Sequence, residues 1–148
     1  MVPSHLWRLT PDGEPSFFNR RMIDFLGTDV ADIDLPSMSR LDAFMGIIHP
    51  EDVAGFREKV ERCLITGDGF DLRYRLRRVD GVYRWMSSRA EPLRDQAGRI
   101  VQWHGVCHDI DDEVRAEEAL RRSERELQQL IDALPIYIWS CPPRSPIR

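Results

Sequence analysis

Apolar and charged residues alternate strictly over residues 70–78: Phe70, Leu72, Tyr74 and Leu76 against Asp71, Arg73, Arg75 and Arg77. A period of two with one apolar face predicts a half-buried antiparallel strand. Asp80-Gly81 is a hairpin turn, so residues 82–93 are expected to return as a second strand. A turn over 94–98 then leads to a third strand over 99–110.

The first half of the chain changes period. Residues 5–10 read as a short strand with Trp7 and Leu9 on one face. Pro11-Asp12-Gly13 turns the chain, and residues 14–18 come back as a second strand. Asn19 caps a short helix carrying Met22, Ile23, Phe25 and Leu26, which Gly27 ends. Residues 28–39 are acidic, contain Pro36 and are expected to form a loop. A short apolar helix is predicted over 41–48. Pro50 opens a longer one, to about Thr66, whose stripe is Val53, Phe56, Val60, Cys63 and Leu64.

After the third strand, Asp111 is placed to cap a last helix, with Asp112 and Glu113 near its positive end. Leu120, Leu127 and Leu134 recur every seven residues, with Ala116, Ser123 and Leu130 as a companion seam. Such a heptad pattern predicts a parallel dimer of identical chains through this helix, with Leu120, Leu127, Leu130 and Leu134 in the seam. Pro135 stops it. Pro3, Trp7 and Pro11 also have counterparts at the same spacing in Pro135, Trp139 and Pro143, the mark of a tandem array. The expected organisation is a folded domain over 1–111 and an amphipathic helix over 112–134. Residues 135–148 would be the incomplete start of a second repeat, too short to bury a core and expected to be disordered.

Composition narrows the function. With 42% hydrophobic and 31% charged residues, the chain can build one core, which excludes disorder throughout. A net charge of -4 argues against a nucleic-acid partner, which needs a basic excess. No apolar run reaches the roughly 20 residues of a membrane span, and no secretory signal opens the chain. Cys63, Cys107 and Cys141 are odd in number and far apart, so they form no disulfide framework. They read as free thiols of the reducing cytoplasm.

The element order now meets specific residues. They are Trp7 with Pro11-Asp12-Gly13, Phe18-Asn19, Leu26-Gly27 and Ile48-His49-Pro50-Glu51-Asp52. The series continues with Arg77-Arg78, Asp80-Gly81-Val82-Tyr83-Arg84-Trp85, Asp95, Gly98, Gly105 and Asp109-Ile110-Asp111. Residues 5–111 thereby resemble the PAS family with its C-terminal PAC motif, as found in bacterial sensor histidine kinases and diguanylate cyclases. The resemblance implies an α+β fold: a five-stranded antiparallel sheet with helices on one face, followed by a signalling helix. It also implies a sensory module of a two-component signal-transduction protein, in which a ligand or partner perturbs the sheet and the exit helix carries the change to an output domain. The family usually has Asp-Ile-Thr where this chain has Asp109-Ile110-Asp111, the residues expected to transmit the signal. Asp and Thr are both good helix caps.

Candidate chemistry is sparse. Phe56, Tyr74, Trp85 and Trp103, with Trp7, line either a ligand pocket or a closed apolar core. His49 is either a haem ligand or pH-sensitive group, or the residue that starts the helix at Pro50. His104, Cys107, His108 and Asp109 suggest a metal cluster. On a strand, however, His104 and His108 stand roughly 13 Å apart and Cys107 faces away, so no shared ion is expected. Arg73, Arg75, Arg77 and Arg78 form a basic stripe that either binds an acidic partner or is simply solvated. The reactive-cysteine motif of flavin-binding light sensors and the Cys-x-x-Cys-His of covalent haem are both missing, and the cofactor stays open. No nucleophile or metal motif marks an enzyme. The rival reading is a small-molecule-binding α+β module without a signalling role.

Overall fold

The computed structural model describes residues 4–33 and 38–134. The expected second repeat over 135–148, with Cys141, lies outside them. A first hairpin joins β1 (His5–Leu9) to β2 (Pro15–Phe18). Asn19 follows, and its side-chain carbonyl accepts the N–H groups of Met22 and Leu6, both at 3.0 Å. One amide thus caps α1 (Arg20–Leu26) and fastens it to β1. Gly27 ends that helix at φ 81°, with its N–H on the Ile23 carbonyl, a left-handed cap that glycine adopts without strain.

Two local expectations are refined. The segment read as loop contains a 3-10 turn, Val30–Asp32, capped by Asp29. The next helix, α2 (Arg40–Met45), ends before Ile48. The reason lies in the sheet: Ile48 bridges to Leu76, and the Ile47 carbonyl accepts the Arg77 N–H at 2.8 Å. Backbone drawn into strand pairing cannot continue a helix.

α3 (Pro50–Thr66) begins at His49, whose Nδ1 accepts the Glu51 N–H at 3.1 Å. The histidine therefore serves as the helix cap, while its own N–H donates to the Arg75 carbonyl at 2.9 Å. Phe56, Val60 and Cys63 are the fully buried part of the predicted stripe. A meander of β3 (Phe70–Arg77), β4 (Tyr83–Arg94) and β5 (Ile100–Asp109) follows. β5 crosses back to pair with β1, so the antiparallel sheet runs β2-β1-β5-β4-β3.

Strand register decides what is buried. Tyr74 faces Met86, Phe70 faces Ala90, and Trp7 faces Gly105. With Leu9, Leu76, Trp103 and Cys107 these residues cover one face of the sheet. Met22 and Phe25 of α1, Met45 of α2, and Phe56, Val60 and Cys63 of α3 pack into the same cluster. Each large side chain buried there contributes about 1.5–3 kcal/mol. The opposite face carries Arg73, Arg77, Arg89, Glu91, His104 and His108, all exposed.

The chain divides into two units, Met1–Asp111 and Asp112–Arg148. α4 (Asp111–Ala133) is a 23-residue helix. Leu120, Leu127, Leu130 and Leu134 are all exposed, by 41% at Leu134 and about 60% at the other three. That is far more apolar exposure than a finished surface helix shows.

One close approach makes a glycine obligatory. The Trp7 indole lies directly over Gly105, where an added Cβ would overlap the Trp7 ring atoms Cζ2, Cε2 and Cη2. The expected result of Gly105→Ala is a loss of about 2–3 kcal/mol, the upper range for overpacking a core. Urea denaturation with tryptophan fluorescence measures it, and a loss under about 0.5 kcal/mol would show that the indole moves aside at little cost.

Candidate functional site

Beneath the sheet the core leaves a cavity of about 30 Å³. Its wall is made by Trp7, Phe18, Phe44, Phe56, Phe70 and Tyr74, with aliphatic side chains between them and no polar surface. Ligand pockets for drug-sized molecules run to about 300–1,000 Å³. This void has room for no more than a couple of water-sized molecules, and it lacks the polar partners a buried water requires. Phe56 and Tyr74 meet at this wall, edge to face with ring centres 4.9 Å apart.

The other two aromatic candidates lie elsewhere. Trp103 is 1% exposed, on the core face but not on the cavity wall, and its Nε1–H finds no acceptor among the described residues. Trp85 is on the opposite face of the sheet. It pairs with Arg75, which belongs to the outward phase of β3, and its ring lies 4.9 Å under the Arg75 guanidinium. The expectation that Trp85 shares a pocket with Tyr74 is therefore corrected by strand register: neighbouring residues on paired strands share a face.

At the back of the cavity wall three side chains converge on Cys107. Its sulfur accepts the Trp7 Nε1–H at 3.1 Å, and the hydroxyls of Ser88 and Tyr74 stand at 3.1 and 3.6 Å. Burial pushes the Cys107 thiol up, although these hydrogen bonds favour the thiolate. Burial likewise pushes the Tyr74 phenol well above its ordinary range. Both are neutral structural groups. Strand alternation leaves His104 and His108 exposed on the outer face, away from Cys107.

The exit from the sheet is built on charged side chains. Arg84 grips Asp109 with two bonds, Nε to Oδ2 at 2.8 Å and Nη2 to Oδ1 at 3.2 Å. Its Nη1 lies 3.8 Å from Asp111 Oδ2. Asp111 is 1% exposed. Its Oδ1 accepts the Trp85 backbone N–H at 3.0 Å, and its own N–H donates to Asp109 Oδ1 at 3.0 Å. The Ile110 N–H donates to the Trp85 carbonyl at 2.9 Å. Asp109, Ile110 and Asp111 are thus brought together on β4, by an arginine to which sequence reasoning gave no role. A signal was there: Arg84 and Asp109 both occupy the apolar phase of their strands, and a charge in a buried phase calls for a partner.

A second charge pair joins α3 to the outer face. Asp52 Oδ2 accepts the Arg75 N–H and Nε at 2.8 and 2.9 Å, and Oδ1 accepts Nη2 at 2.9 Å. One of the four arginines of the predicted basic stripe is therefore neutralised from the helix side. Arg78 is likewise paired, with Asp80 at 2.7 Å, and this bond holds the Asp80 carboxyl down to about 2.

Comparison with known proteins agrees with this architecture. Residues 15–107 match the PAS_3 family model, described as PAS fold. The uncharacterized protein y4lL of Sinorhizobium fredii is 36% identical over 92 residues, covering 62% of this chain and 11% of that protein. The peroxide stress-activated histidine kinase mak1 of Schizosaccharomyces pombe is 27% identical over 146 residues, 94% of this chain and 8% of its own length. The chain thus spans about a tenth of the length of these two relatives. A sensory box histidine kinase/response regulator from Burkholderia thailandensis superposes with a TM-score of 0.64 at 29% identity, over 85% of this chain and 91% of that one.

The Asp52–Arg75 pair sets a pH dependence. Hydrogen bonding to Arg75 lowers the Asp52 carboxyl from its ordinary 3.8. Its stabilisation is therefore complete above that value and disappears as pH falls through the lower folded value. Asp52→Asn is expected to lose about 1–2 kcal/mol at pH 7. The difference from the parent protein should shrink toward zero in strong acid, as measured by denaturation across pH. A pH-independent difference would assign the loss to packing instead.

Proposed function

The chain belongs to the PAS fold family, and from that premise we propose that it is the cytoplasmic sensor module of a bacterial two-component protein. In this reading it performs no catalysis. It converts a change in the sheet into a change at α4, which passes it to an output domain, in the same protein or as a partner.

The observation that carries the reading is the double duty of Asp111. It is the first residue of α4 and also a buried hydrogen-bond partner of β4. A displacement of β4 must therefore move the base of the helix or break a bond to a buried carboxylate, and a buried group left unpaired costs about 1–3 kcal/mol. Such a junction has discrete states rather than a continuum, as a switch requires. The Leu120, Leu127, Leu130 and Leu134 seam supports a parallel dimer of identical chains, in which a change at the helix base alters packing along the stalk. No helix among the described residues is long and apolar enough to cross a membrane.

What the domain senses follows from the size of its cavity. In this reading a small apolar ligand enters by widening the wall around Phe56 and Tyr74, or that wall rearranges when a partner bears on the helices. Trp103, whose Nε1–H has no partner among the described residues, offers a donor to a ligand that opens the core further. A module that stores a ligand without signalling would want a larger preformed pocket, and it would have no use for the Asp111 junction.

Disulfide trapping tests the proposal. In a Cys141→Ser background, Leu127→Cys should cross-link two chains under mild oxidation. Adding Arg84→Ala or Asp109→Asn should change that rate by about threefold or more, since each loosens the helix base. Absence of cross-linking would refute the dimer, and an unchanged rate would refute transmission through the junction.

A further inference from the structure

Trp85 presents a puzzle that the core does not solve. It is a half-buried indole on the polar face of the sheet, packed against an arginine. Yet both backbone groups of this residue hold the exit: its N–H bonds Asp111 and its carbonyl accepts from Ile110.

The arginine above its ring leads back to the cavity. Arg75 is held by Asp52 through three hydrogen bonds, with Glu51 adding a contact at 3.4 Å. Asp52 belongs to the first turn of α3, and the same helix supplies Phe56 and Val60 to the cavity wall. A change in cavity volume therefore bears directly on the helix that carries Asp52. From there three links follow in series: a two-pronged carboxylate–guanidinium pair, a guanidinium over an indole, and that residue's own amide on Asp111.

The geometry points to a lateral coupling route, from α3 through Asp52, Arg75 and Trp85 to Asp111, that does not pass along β5. It rests on the reading of the junction as the point of transmission, and it names the element that drives that junction. Each link is directional. The guanidinium is planar, so its fork on Asp52 fixes the plane it offers to the Trp85 ring. A tilt of the first turn of α3 rotates that plane, and the indole must follow or lose its contact with the cation. Because the indole and the two junction bonds belong to one residue, the displacement is delivered without an intervening flexible segment. The position also explains why an arginine is needed: a lysine keeps the charge but has neither fork nor plane.

Amide hydrogen exchange of the full chain, read by NMR, tests the route with the Ile110 amide as reporter and the β1–β5 ladder as control. Asp52→Asn should speed exchange at Ile110 by about tenfold and leave the ladder within about twofold. Arg75→Lys should reproduce this. In a Trp85→Leu background, Asp52→Asn should add less than about twofold, because the intermediate link is already gone. The route is overturned if Asp52→Asn leaves Ile110 unchanged, if it accelerates Ile110 equally with and without Trp85, or if the ladder accelerates in parallel. A response at Ile110 with no change in Leu127→Cys cross-linking would uphold the route while sinking the transmission reading above.

Discussion

The buried carboxylate of Asp111 is the constraint that fixes how the sheet gives way to the last helix. A charge that is 1% exposed is tolerable only with strong partners. Among them are the Trp85 N–H at 3.0 Å and the Arg84 guanidinium at 3.8 Å. Arg84 in turn is held by Asp109, the last residue of β5. The start of the exit helix is consequently defined by two strands at once. Asp111 stands where relatives of this family usually have threonine. A hydroxyl can cap a helix, but it brings no charge to Arg84, so in this chain the junction is electrostatically coupled as well as hydrogen-bonded.

The interior around the sheet is closely packed. Its cavity is about 30 Å³ and wholly apolar. Around it the packing is stiff. The Trp7 indole rests on the Gly105 backbone, donates to the Cys107 sulfur, and is joined there by Ser88 and Tyr74. These contacts tie β1, β3, β4 and β5 together beneath the sheet. Close-packed interiors transmit strain because they have little room to absorb it. α3 is fastened to this interior in two ways, by the packed side chains of Phe56, Val60 and Cys63 and by the charged Asp52–Arg75 pair.

Much of the fold was legible because strands and helices write their burial into the period of the sequence. Phe70, Leu72, Tyr74 and Leu76 announced their common face, and Pro50 and Asn19 marked helix starts that the structure shows at those places. Arg84 and Asp109 were also legible in principle, as charges in apolar phases. Trp85 was not read correctly, since a large aromatic residue suggests a core position wherever it falls. Only pairing with Arg75 shows that this one faces outward. The end of α2 was placed too late for a related reason: Ile47 and Ile48 look helical locally, and they are claimed by β3 across the fold.

The amino-acid sequence by itself determined the element order, the apolar faces and the leucine seam of the last helix, since each is a matter of neighbours three, four or two residues apart. It also placed the start of the last helix within about one residue of Asp111, because helix starts are marked by local chemistry. Tertiary structure alone decided that Arg84 closes on Asp109 and that Asp52 of α3 reaches Arg75 of β3. It alone laid Trp7 over Gly105 and kept the aromatic core almost closed. Those outcomes depend on strand register and on the approach of segments tens of residues apart, and free energy on that scale belongs to the assembled sheet, not to any stretch of chain.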